Sequence, residues 1–187
     1  MISLRPATPE DVGTMLQFIR ELAAFEREPD AVVATEADLL RDGFALAPDA
    51  MTPLPVEEAM PRFRAWIADW QHAEHTEACD RTTKAVGFAL YFWSYSTWRG
   101  HHGLRLEDLY VTPAYRGRGV GRALLTKLAQ IAVGEGCSRL EWDVLEWNAS
   151  AIAVYEAIGA HVQTEWRIMR LADDALHALA ATAKGQL

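Results

Sequence analysis

Apolar residues recur at helical spacing through Val12, Met15, Leu16, Ile19, Leu22 and Ala23, which makes one face of a helix apolar. Thr8, Pro9 and Asp11 stand just ahead of that run. A capping hydroxyl, a proline in the first turn and an acid three residues on predict the helix start. Thr35 and Asp38 repeat the signal before Leu39, Leu40 and Phe44. A short strand is expected at Ile2 to Arg5. Pro48, Pro53, Pro55 and Pro61 make 48–61 a loop-rich region. Strand-like runs rich in aromatics follow, "RFRAWIADW" at 62–70 and "AVGFALYFWSY" at 85–95. They read as an antiparallel pair joined by a long polar loop at 71–84. "LRLEDLYV" (104–111) is a further strand ended by Thr112-Pro113, and a helix is expected from the next glycines to about Gly134. A strand "SRLEWDVLEW" (138–147), a helix from Asn148 to Ile158 closed by Gly159, a strand near 161–171 and a short last helix complete the reading. The order βααβββαβαβ predicts an α/β (α+β) fold in one domain over 1–187.

Composition narrows the function more than the fold. Half of the 187 residues are hydrophobic, enough for one full core. Acidic residues outnumber basic ones 26 to 18, a net charge of −8. That balance argues against nucleic acid as a partner and suits a cationic small substrate. Two cysteines make no disulfide framework, and no run of 18 apolar residues is present. A cytoplasmic location without membrane contact is expected. His72, His75 and Cys79, with His101 and His102 elsewhere, match no familiar zinc spacing, so no metal is expected.

The densest chemical signal is "YRGRGVGRALL" at 115–125, between a strand and a helix. Gly117, Gly119 and Gly121 allow backbone N–H groups to converge on an anion beside a helix N-terminus. Arg116, Arg118 and Arg122 add cationic reach. Such a loop asks for phosphate or pyrophosphate. A nucleotide P-loop needs Gly-Lys-Ser/Thr, and Gly121 is followed by Arg122-Ala123 instead. A dinucleotide fingerprint follows the first strand of a βαβ unit, and this loop does not. The acyl-CoA pattern Arg-x-x-Gly-x-Gly is matched at Arg116, Gly119 and Gly121. A glycine-rich turn without a ligand is the remaining reading.

"LEDLYVTPAYRGRGVGRALL" with "VLEWNASAIAVYEAIGA" resembles the Gcn5-related N-acetyltransferase (GNAT) superfamily, and within it the diamine and thialysine acetyltransferases. "LRPATPEDV", "ELAAFE" and "TEADLLRDGF" extend the similarity to the N-terminal helices, and "YSTWRG" is closer to the thialysine branch. The resemblance implies a mixed central sheet flanked by helices, acetyl-CoA as cosubstrate, a small-molecule amine as acceptor and a homodimer. It implies direct transfer of the acetyl group in a ternary complex. A coenzyme A-binding module without catalysis, or an enzyme acting on a protein or peptide amine, are the alternatives.

The chemistry requires a neutral amine. An alkyl amine of pKa about 10.4 lies roughly 4.6 kcal/mol from neutrality at pH 7. Glu107 and Asp108 occupy the middle of the strand before the loop, and strand alternation lets only one of them face a given cleft. By resemblance Glu107 deprotonates the amine, directly or through water, and Asp108 assists. Tyr155 follows Asn148 by seven residues on one helix face. By resemblance Tyr155 protonates the leaving sulfur and Asn148 binds the cofactor. The main chain of Leu109, Tyr110 and Val111 would hold the pantetheine arm, and Gly117, Arg118, Gly119, Val120, Gly121 and Arg122 the pyrophosphate. Phe25, Glu26, Trp98, Glu146, Glu165 and Trp166 correspond to the acceptor site of the relatives. An acidic, aromatic pocket suits an ammonium group. Ser96 replaces the Asp of the spermidine enzymes, and the segment before Trp166 is shorter than theirs. Both put the acceptor, not acetyl transfer, in question.

Overall fold

In the computed structural model the described residues are 1–47, 52–53, 60–71 and 83–182. They form β1 (Ile2–Pro6), α1 (Val12–Phe25), α2 (Glu36–Phe44), β2 (Arg64–Gln71), β3 (Thr83–Ser96), β4 (His101–Val111), α3 (Val120–Gly134), β5 (Leu140–Glu141), α4 (Ala149–Ala157) and α5 (Asp173–Thr182). The chain divides into two compact units, Met1–Asp143 and Val144–Leu187. The sheet and α1 to α3 belong to the first, and α4 and α5 to the second.

The sheet order is β1-β2-β3-β4-β5. The first three pairings are antiparallel and the last is parallel, so the sheet is mixed. Val12, Met15, Leu16 and Phe18 of α1, with Leu39 and Leu40 of α2, pack on Ala65, Ile67, Phe88, Leu90 and Tyr110. Fully burying a side chain such as Phe88 contributes about 2–3 kcal/mol. Trp66 alternates with Ala65 and Ile67 and therefore points to the other face, where Lys127 of α3 lies 4.1 Å over its ring. The inward residues Val120, Leu124, Leu125 and Leu128 of α3 cover that face.

The expected helix starts form where the capping partners are close in sequence. Thr35 Oγ accepts the Asp38 N–H at 3.3 Å, and the Asp38 carboxylate accepts the Thr35 N–H at 3.0 Å. Ahead of α1 a 3-10 turn, Pro9–Asp11, intervenes, and the Asp11 carboxylate accepts the Thr8 N–H at 2.8 Å. Arg5 clamps this turn to the sheet, reaching Asp11 at 2.6 Å and Asp69 at 2.8 Å. Two expectations are corrected. The strand expected over 138–147 shrinks to Leu140–Glu141, and no strand forms over 161–171. Its residues are exposed in the second unit and alternate against no neighbouring strand there. In the loop-rich region 48–61, Pro53 forms an isolated bridge with Leu46, and most of the other residues lie outside the described ones. Most of the 71–84 loop, with His72, His75 and Cys79, lies outside the described residues.

Candidate active site

The glycine loop leaves β4 at Val111, makes a 3-10 turn over Pro113–Tyr115 and enters α3 at Val120. Gly117 and Gly119 have φ of 70° and 85°, a region costly for any residue with a β-carbon. Gly119 is the N-cap of α3, and being glycine it offers no side chain to the first helical amides. Those amides are the donors an anion can use, so this end of α3 suits a pyrophosphate. Gly121 differs: a β-carbon there would meet only the Val111 side chain at 3.7 Å, an ordinary contact.

The three loop arginines have separate surroundings. Arg116 donates from Nε to the Val111 carbonyl at 2.9 Å, and its guanidinium lies 4.8 Å from the centre of the Phe25 ring. Arg118 stacks near Trp70 at 5.4 Å and Tyr115 at 5.6 Å. Arg122 is exposed and lines an open groove of about 410 Å³ with Leu4, Thr126 and Lys127.

Beside the loop, β4 departs from regular pairing twice. Leu90 pairs with Asp108 but Tyr91 with Leu106, leaving Glu107 as an extra residue on β4. This bulge overturns the expectation that Glu107 and Asp108 face opposite sides. Asp108 shares the face of Leu90, and Glu107, next to Leu106 on the other face, turns the same way. Burial first, then the charges of Glu107 and Glu26, push the Asp108 carboxyl up to about 6. Burial also raises Glu26, the residue that ends α1 next to Phe25. The second departure is that β5 pairs with β4 only at Leu104 and Arg105. Arg105 also bridges to Asp143 just beyond β5. Past that point Leu109, Tyr110 and Val111 have no ladder to β5. Tyr110 Oη donates to Glu21 at 2.7 Å, and burial followed by this carboxylate pushes the phenol up to about 12. Glu21 escaped the sequence reading. Its signal was its place in "ELAAFE", one turn before Phe25.

Phe25, Glu26, Glu107 and Asp108 are thus brought together at the end of α1, beside the glycine loop. Trp98 is not among them. It is 87% exposed in the β3–β4 turn, where the Ser96 hydroxyl accepts the Arg99 N–H at 3.3 Å. The seven residue steps of β4 from His101 to Asp108 span roughly 23 Å, which separates that turn from the carboxylates. Asn148, Tyr155, Glu146, Glu165 and Trp166 lie in the second unit. Asn148 Oδ1 caps α4 by accepting the Ala151 N–H at 3.3 Å, so its oxygen already has a structural task. Tyr155 is half-buried on the same helix, while Glu146, Glu165 and Trp166 are exposed. Among the described residues no group of three His, Cys, Asp or Glu is placed to hold a metal, and no helix is long and apolar enough to cross a membrane.

A mixed sheet whose parallel strand pair parts beside a glycine-capped helix offers a groove next to an anion-binding helix end, as acyl transfer from a phosphate-bearing carrier requires. The acetyltransferase (GNAT) family profile matches residues 41–160. The chain is 36% identical over 184 residues to a thialysine N-epsilon-acetyltransferase of Bos taurus, covering 96% of this chain and 97% of that one. It is 34% identical to an L-ornithine N5-acetyltransferase of Arabidopsis thaliana, over 94% of this chain and 86% of that one. An integron cassette protein from the mobile metagenome of V. cholerae has the same fold, with a TM-score of 0.68 at 24% identity, covering 96% and 97% of the two chains. The chain belongs to the GNAT acetyltransferase family. It is an N-acetyltransferase, and the family uses acetyl-CoA.

Proposed function

We propose that this enzyme acetylates the primary amine of a small cationic acceptor, an amino acid such as thialysine or ornithine or a short diamine, directly in a ternary complex. The observation that carries this reading is the acidic group Glu26, Glu107 and Asp108 beside the Phe25 ring and the glycine loop. Three carboxylates at one place favour an ammonium group and can take its proton. The names of the relatives support an acceptor of that size.

Acetyl-CoA supplies the activated thioester. Gly117 to Arg122 would hold its pyrophosphate through main-chain amides and Arg122, and the main chain of Leu109 to Val111, beyond the β5 pairing, its pantetheine arm. Asp108 and Glu107 accept the amine proton, and the Tyr155 phenol donates a proton to the leaving sulfur. Asn148, Trp98, Glu146, Glu165 and Trp166 remain candidates by resemblance. Residues 1–187 act as one catalytic domain, a reading supported by a family match that crosses the boundary between the two compact units. A cytoplasmic homodimer is part of the same proposal, and sedimentation velocity tests the dimer.

The decisive experiment measures free coenzyme A thiol released with thialysine, ornithine, lysine, spermidine, short diamines and a lysine peptide. Preference for the small amino acids or diamines is expected, and preference for the peptide sinks the proposal. Tyr155→Phe should keep acetyl-CoA binding by calorimetry and lose about 10²-fold or more in kcat. Unchanged turnover would remove Tyr155 from the mechanism.

A further inference from the structure

Arg116 opens the loop that the sequence assigns to phosphate, yet its side chain turns towards α1. Its Nε–H donates to the carbonyl of Val111, the last residue of β4, at 2.9 Å. Its guanidinium lies 4.8 Å from the Phe25 ring centre and 5.7 Å from that of Tyr110. Tyr110 in turn donates to Glu21 at 2.7 Å, one turn before Phe25 on α1. A single side chain therefore joins the end of β4, the start of the loop and the last turn of α1, next to Glu26. Arginine suits this task because its planar fork donates in its own plane while its face lies on a ring. Lysine carries the charge without the plane.

We infer that Arg116 is a positioning residue for the acceptor: it holds Phe25 and Glu26 beside the carboxylates of β4 and does not bind the pyrophosphate. This rests on the acetyl-transfer reading above. The consequence is a division of labour within the loop, with the main chain and Arg122 serving the donor and Arg116 serving the acceptor.

Steady-state kinetics on the full chain, with calorimetric titration of acetyl-CoA, test it in Arg116→Lys and Arg116→Gln. The acceptor KM should rise about tenfold in both, while acetyl-CoA affinity changes by less than about threefold. The lysine variant preserves the measurement if the glutamine variant fails to fold. Lost acetyl-CoA affinity with an unchanged acceptor KM overturns the inference and returns Arg116 to the phosphate. Wild-type kinetics in Arg116→Lys overturn it as well. In a double-mutant cycle, Arg116→Lys and Phe25→Leu should be non-additive in acceptor KM, and full additivity counts against the tie. If the wild type acetylates no small amine, the proposed function fails. The titrations on Arg116→Gln still test the donor half of the inference then, because retained affinity keeps Arg116 off the pyrophosphate and lost affinity refutes the inference.

Discussion

Glu107 and Asp108 are adjacent in the chain but differ in surroundings, Glu107 being exposed and Asp108 half-buried. With its carboxyl pushed up to about 6, Asp108 is ionised above that pH and neutral below it. Only the ionised form accepts a proton. The kcat/KM for an amine should therefore fall as pH drops through about 6, in addition to the slope set by the titration of the amine itself. Asp108→Asn should remove that limb and lower kcat about 10²-fold. A limb that survives the substitution belongs to another group. The two carboxylates were legible in the sequence as candidates, but their common orientation was not. Strand alternation follows from local geometry, whereas a bulge follows from pairing with Leu90 and Tyr91, and no glycine at 107 marks it.

Elements show the same division between local and distant causes. The starts of α2 and α3 were legible because Thr35 with Asp38, and Gly119 with its following apolar face, carry their signals within one turn. The strand over 161–171 was expected from its composition, but a strand needs a neighbour, and composition names none. The loop glycines permit a sharper test of element design. Gly119→Ala places a β-carbon at a φ of 85° and should cost about 1 kcal/mol or more in urea unfolding, with weaker acetyl-CoA binding. Gly121→Ala should stay within about 0.5 kcal/mol, since its β-carbon meets Val111 at an ordinary 3.7 Å. Equal costs at both positions would show that loop conformation is not what selects glycine.

At the scale of the molecule, Arg5 ties β1, the turn before α1 and β2 into one unit through Asp11 and Asp69. Burial pushes the Asp11 carboxyl up, but Arg5 and the Thr8 N–H outweigh it and hold it below its ordinary value. Its contribution to stability is thus present above about pH 4 and is lost as pH falls through the lower folded value. Asp11→Asn should cost about 2 kcal/mol, less than for a fully buried pair because Arg5 is partly exposed. It should also flatten the acid limb of stability followed by urea unfolding. The short β4–β5 ladder has a consequence for colloidal behaviour. A strand that loses its neighbour halfway presents open N–H and C=O groups, a template on which a strand from another chain can grow. Along this stretch β4 carries a bulge and two adjacent carboxylates, features that natural sheets use to refuse such additions. On the proposed function, the carboxylates that attract an ammonium group thereby also guard this stretch of β4 against strand addition from another chain.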